Sequence, residues 1–167
     1  MKPFRLILFI VLVTILSSCN KKSKGDPRPR HYYTSVPDTN RFVPPTTNSN
    51  VNGYVYSYYP NSNVVSNEGN YQRGVPSGYW KSYYADGKLY REGNYENGRL
   101  SGYWKFYYPN GLKQEEGNYQ NNVKSGNWIY YYPNGTISSE GNYTNGSKQG
   151  EWSYYNEEGS LNTKTSY

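Results

Sequence analysis

An all-β fold, an elongated single-layer antiparallel sheet of stacked 24-residue hairpin repeats with about ten strands, is predicted by three observations. The tetrapeptide Glu-Gly-Asn-Tyr occurs four times at a 24-residue interval, beginning at Glu68, Glu92, Glu116 and Glu140. All the tryptophans, Trp80, Trp104, Trp128 and Trp152, keep the same interval. Each unit also holds two short runs, aromatic or alternating, separated by strong turn signals, which is the pattern of a β-hairpin. Self-similarity at such a period marks an architecture in which each unit buries apolar surface against its neighbours rather than in a private core. Function is therefore to be sought on a surface rather than in a pocket.

In the unit around Trp104, the stretch from Trp104 to Tyr108 is expected to be the first strand and Leu112 to Tyr119 the return strand. Between them Pro109 presets φ at the first turn position, Asn110 tolerates the second, and Gly111 takes a left-handed conformation. The same turn recurs at Pro133-Asn134-Gly135 and Ala85-Asp86-Gly87, and the turns between units carry Asn97-Gly98, Asn121-Asn122 and Asn145-Gly146. Five hairpins, ten strands and no helix in the mature protein follow. A fainter copy, Gly53-Tyr54-Val55-Tyr56-Ser57-Tyr58-Tyr59, precedes the regular units with Val55 at the tryptophan position, and Tyr167 stands at the tyrosine position of a unit beginning at Lys164. Degenerate units at both ends are expected to act as caps.

Identical positions should stack along the array, so that tryptophans form one ladder and tyrosines form others. Aromatic side chains that bury roughly 150–250 Å² each are an efficient cover for a sheet that encloses no interior. Gly69, Gly93, Gly117 and Gly141 fall inside strands, where glycine is normally unfavourable, which implies an aromatic ring lying over bare backbone. Which ring does so depends on whether the turn carries a bulge. The tryptophans are assigned to the structural core. Tyr83, Tyr107, Tyr131 and Tyr155 lie at odd spacing from them, so they point to the other side of the sheet and form the candidate binding face.

The chain before the repeats reads as two segments. Residues 1–18 carry Lys2 and Arg5 ahead of the apolar run Leu6 to Leu16, which is too short for a membrane-spanning helix and right for a signal peptide. The run closes on Leu16-Ser17-Ser18-Cys19, which resembles the bacterial lipobox and implies that Cys19, the only cysteine, is the acylated residue that anchors the protein in a membrane. Residues 19–52, rich in Pro, Ser, Thr and Asn, are expected to be an extended, disordered tether. Asn20 follows the cysteine where an Asp would favour inner-membrane retention, so an outer-membrane lipoprotein of the cell envelope is expected.

Charge narrows the function classes. From Asn20 to Gly53 six basic residues face two acidic ones, whereas Tyr54 to Tyr167 holds ten of each, so the formal net charge of +6 does not describe the repeats. Nucleic-acid binding, which needs a basic face on the folded part, loses its support. Catalysis is poorly supported, because the only histidine, His31, lies in the tether, the only cysteine is the proposed lipid attachment point, and no metal-ligand cluster, cofactor site or nucleophile-base pair can be assembled. The repeated glutamates are read as cross-strand partners of Lys81 or Lys105.

The unit EGNYENGRLSGYWKFYYPNG at 92–111 resembles the MORN repeat, and more closely its bacterial variant class; the likeness covers about 53–167. The resemblance implies a twisted antiparallel sheet that associates with proteins or membranes, and it brings with it the YwqK-type antitoxin label of many bacterial members. The reading that follows is a non-catalytic, lipid-anchored envelope protein that binds or scaffolds a protein partner through an aromatic sheet face. A carbohydrate or cell-wall binding module and an immunity lipoprotein that neutralises a toxin are the alternatives.

Overall fold

The computed structural model describes residues 51–167. The signal segment, Cys19, His31 and nearly all of the tether lie outside the described residues. Within them the chain forms β1 (Gly53–Tyr58), β2 (Val65–Gln72), β3 (Val75–Tyr83), β4 (Leu89–Glu96), β5 (Arg99–Tyr107), β6 (Lys113–Gln120), β7 (Val123–Tyr131), β8 (Ile137–Thr144), β9 (Ser147–Tyr155) and β10 (Leu161–Ser166). These make one open sheet in sequence order, with every neighbouring pair antiparallel.

Two kinds of turn alternate along it. At Pro109-Asn110-Gly111 the Gly111 amide donates to the Tyr108 carbonyl (2.8 Å), the Tyr108 amide donates to the Leu112 carbonyl (2.8 Å), and Gly111 has φ 88°. This is a type I turn closed by a left-handed glycine. The tighter turns have positive φ at both central residues, at Arg73-Gly74, Asn97-Gly98, Asn121-Asn122 and Asn145-Gly146. That geometry matches the strand twist, so pairing resumes at once and β5 starts at Arg99, five residues ahead of the expected Trp104. A left-handed glycine inside the strand, Gly102 with φ 69°, bends β5 without ending it.

The core lies on one face. Trp80, Trp104, Trp128 and Trp152 are 0–2% exposed. A Cβ built on Gly69, Gly93, Gly117 or Gly141 would sit 2.2–2.6 Å from the indole of the following strand, so each ring rests on bare backbone. Each indole Nε1 also donates to a carbonyl beside that glycine, as Trp104 does to Asn94 and Trp128 to Asn118 (both 3.0 Å). The expectation of separate tryptophan and tyrosine ladders needs correcting. Equivalent tryptophans are two strands apart, roughly 9.5 Å, and the EGNY tyrosine fills the gap. Tyr95 meets Trp104 edge-on at 5.1 Å and Trp80 at 5.9 Å, and Tyr119 meets Trp128 at 5.0 Å and Trp104 at 6.5 Å. One ladder of alternating Tyr and Trp thus runs through the array, in the edge-to-face geometry that aromatic quadrupoles favour. Over its later part Lys124 and Lys148 lie above Trp128 and Trp152, their ammonium groups 3.8 and 4.2 Å from the ring centroids.

Candidate functional site: the tyrosine and carboxylate face

The opposite face is built by the residues that alternate with the tryptophan. In β3 and β5 these are Tyr79, Lys81, Tyr83 and Tyr103, Lys105, Tyr107, and in the return strands they are the EGNY glutamates and asparagines. The register sets Glu92 opposite Lys81 on one side and Lys105 on the other, and Glu68 opposite Lys81. The side chains bond differently from the lysine partnership read in the sequence. Tyr107 donates to Glu92 and Tyr155 to Glu140 (both 2.7 Å), and Tyr83 and Tyr131 likewise donate to Glu68 and Glu116. Glu116 additionally receives the Lys113 ammonium at 2.6 Å.

A second tyrosine reaches the same carboxylates from the other side. Tyr54 stands beside Glu68, Tyr79 beside Glu92 and Tyr103 beside Glu116, and burial together with the carboxylate raises the pKa of each phenol. Burial alone would push the Glu92 carboxyl up, but the hydrogen bond from Tyr107, the nearby Tyr79 hydroxyl and the charges of Lys105 and Lys81 outweigh it and hold the group below its usual range. Burial and the neighbouring Glu92 carboxylate together push the Tyr79 phenol up to about 12. In three units the carboxylate therefore accepts from one phenol and has a second phenol beside it, whereas Glu140 accepts from Tyr155 and has Asn127 in the second place. That arrangement suits recognition, because it fixes ring positions before any ligand arrives.

The structure separates the two tyrosine rows by exposure. Tyr83, Tyr107, Tyr131 and Tyr155, the sequence candidates, are half-buried and spend their hydroxyls on glutamates. The more open row is Tyr54 (52%), Tyr79 (48%) and Tyr103 (45%), joined on β1 by Tyr56 and Tyr58. Sequence reasoning missed it because it is not strictly periodic: the next residues in the row are Asn127 and Glu151. Its shared parity with Tyr83 and Tyr107 was the available signal. The aromatic surface is thus concentrated in the first half of the sheet. Among the described residues no group of three or more His, Cys, Asp or Glu side chains is placed to hold a metal, and no helix is long and apolar enough to cross a membrane.

The fold and this face define an open, hairpin-repeat sheet with one packed and one presented side. Residues 76–97, 100–121 and 124–145 match the MORN repeat variant, so that three successive units are of that repeat type. Comparison with curated proteins found no match.

Proposed function

We propose that the protein is a non-catalytic binding module of the cell envelope, held to the outer membrane by lipid on Cys19 and presenting its tyrosine face to a protein partner. The observation that carries the reading is the row Tyr54, Tyr79 and Tyr103, about half-exposed on strands paired into the sheet and set beside Glu68, Glu92 and Glu116. Large amphipathic rings held rigid are the side chains that give most binding free energy for least ordering cost. The lipobox-like Leu16-Ser17-Ser18-Cys19 and the long tether supply the attachment and the reach, on the order of 110 Å at full extension.

Two measurements test this together. Cys19→Ser should abolish partition into a detergent phase without altering the β-sheet spectrum, and a photo-crosslinking residue at Tyr103 should capture one stoichiometric protein in the native envelope. Unchanged partition by the Cys19→Ser chain would sink the anchor. A second reading is favoured by the exposed Asn94 and Asn118 that stand opposite Tyr79 and Tyr103 across the strands, since an amide beside an aromatic platform suits a sugar ring. Retention on purified peptidoglycan, with no protein captured at Tyr103, would put that reading first. If the captured protein is a toxin, the immunity role becomes the specific form of the proposal.

A further inference from the structure

The two outer strands depart from the repeat, and their departures match each other. Within the sheet, the EGNY glycine always lies under the tryptophan of the next strand, and the EGNY glutamate always stands where a lysine or a neutral residue faces it: Glu68 with Lys81, Glu92 with Lys105, Glu116 with Ile129 and Glu140 with Ser153. On β10 the corresponding residues are Thr165 in place of glycine and Lys164 in place of glutamate, placed by their pairing with Trp152 and Ser153. On β1 they are Val55 in place of tryptophan and Tyr56 in place of lysine, placed by their pairing with Gly69 and Glu68.

A tryptophan-bearing strand cannot be laid against Thr165 in the repeat register, because a Cβ at the equivalent Gly141 would come within 2.4 Å of the indole. Val55 has no indole. A lysine would meet Lys164 with like charge across the strands, which is unfavourable. Tyr56 brings none. The direction also agrees: neighbours are antiparallel throughout, and the strand that would follow β10 runs in the sense of β1. Among the described residues neither outer edge has a partner, and β1, Gly-Tyr-Val-Tyr-Ser-Tyr, has no proline and no charge to discourage pairing. Open apolar edges of that composition recruit another strand.

We propose that copies of this chain associate head to tail, the outer edge of β10 in one copy pairing with the outer edge of β1 in the next, in the register by which β8 meets β9. Lys164 then stands opposite Tyr56 of the next copy, and Thr165 lies beside its Val55. Tyr167, 47% exposed, gains cover at the place where Tyr143 meets Trp152 at 5.1 Å. The joint uses different surfaces on the two copies, so it leaves one edge of each kind free and the assembly lengthens instead of closing as a pair. The tyrosine face runs on across every joint. This inference goes beyond the binding reading and does not depend on it.

The test uses the full chain in mild detergent on a Cys19→Ser background, so that any introduced thiol is the only one. Chains carrying Lys164→Cys and Tyr56→Cys are oxidised separately and mixed. The expected result is a disulfide-linked species in the mixture at least tenfold above either chain alone. Sedimentation of the Cys19→Ser chain should show mass rising past the dimer with concentration. Val55→Trp should weaken association at least tenfold without lowering the thermal midpoint, and adding Thr165→Gly should restore it by recreating the internal pair. Cross-linking of one variant with itself as strongly as in the mixture, a chain that stays monomeric, or a double variant that fails to recover, would each overturn the proposal.

Discussion

At the scale of single residues, the fold rests on couples whose members are meaningless apart. Gly117 is buried under the Trp128 ring, with an added Cβ landing 2.4–2.6 Å from its atoms. Gly117→Ala should therefore cost about 1–3 kcal/mol, as overpacking does, and Trp128→Ala about 3–5 kcal/mol. In the double variant the alanine has no ring to strike, so the glycine substitution should become nearly free, a coupling that denaturation midpoints of the four proteins would show. Additive losses would mean that the ring and the glycine do not share one site. The carboxylates supply a second residue-scale expectation. Burial raises the Glu116 pKa, but hydrogen bonds from Lys113 and Tyr131 outweigh it, and the net shift is downward. A group whose folded pKa is depressed stabilises the native state above its unfolded value, near 4.5, and loses that contribution as pH falls through the folded value. Glu116→Gln should thus be less stable than wild type at neutral pH and should show a flatter decline below about pH 4.5. A difference in midpoint that is constant from pH 7 to pH 3 would remove the carboxylate from the acid response.

At the scale of elements, what the sequence disclosed and what it hid have physical reasons. The turns were legible because each has residues that only one backbone geometry demands: Gly111 at φ 88°, and Asn97-Gly98 with positive φ at both positions. Asn122 was legible as a tolerant residue but not for its side chain, whose Oδ1 accepts from the Leu100 amide at 2.7 Å while the Asn122 backbone amide donates to the Leu100 carbonyl at 3.0 Å. That bond explains an asparagine where Gly98 and Gly146 stand in the other turns. The strand starts were hidden, since Gly102 and Gly126 look like breaks and are bends inside β5 and β7. The ring over Gly93 was undecidable between Trp and Tyr until the bulge between Glu92 and Asn94 fixed the register. The site was least legible of all. A strict period picks out Tyr107, which the fold requires to reach Glu92, whereas the open ring of Tyr103 belongs to a row that stops at Asn127. Periodicity finds what every unit needs, and recognition depends on where units differ.

At the scale of the whole molecule, each strand pairs with its sequence neighbours, and the turns are tied to those of the next unit, as where the Tyr84 hydroxyl donates to the Tyr107 carbonyl (2.6 Å) and that of Tyr108 to the Tyr131 carbonyl (2.7 Å), so stability is a sum of unit and interface contributions. That makes the array divisible in steps of 24 residues and in no others. Removing residues 100–123 joins Arg99 to Lys124, keeps the Asn97-Gly98 turn, and brings Trp128 over Gly93 in place of Trp104, so that no glycine is left bare and no indole is left without its seat. Removing twelve residues, one strand, would leave two strands of the same kind adjacent: without 100–111 the EGNY strands β4 and β6 meet, Gly93 stands against Gly117, and no indole covers Gly93. The shortened chain lacking 100–123 should retain an all-β spectrum and one cooperative transition at a lower midpoint, while the chain lacking only 100–111 should lose cooperative unfolding. The longer deletion also takes away Tyr103 and leaves Tyr54 and Tyr79, so capture of a partner by a photo-crosslinker moved to Tyr79 should weaken without vanishing. Equal damage to folding from both deletions would show that the sheet is held by something other than neighbouring units, and full capture by the folded shortened chain would move the binding surface away from the open tyrosine row.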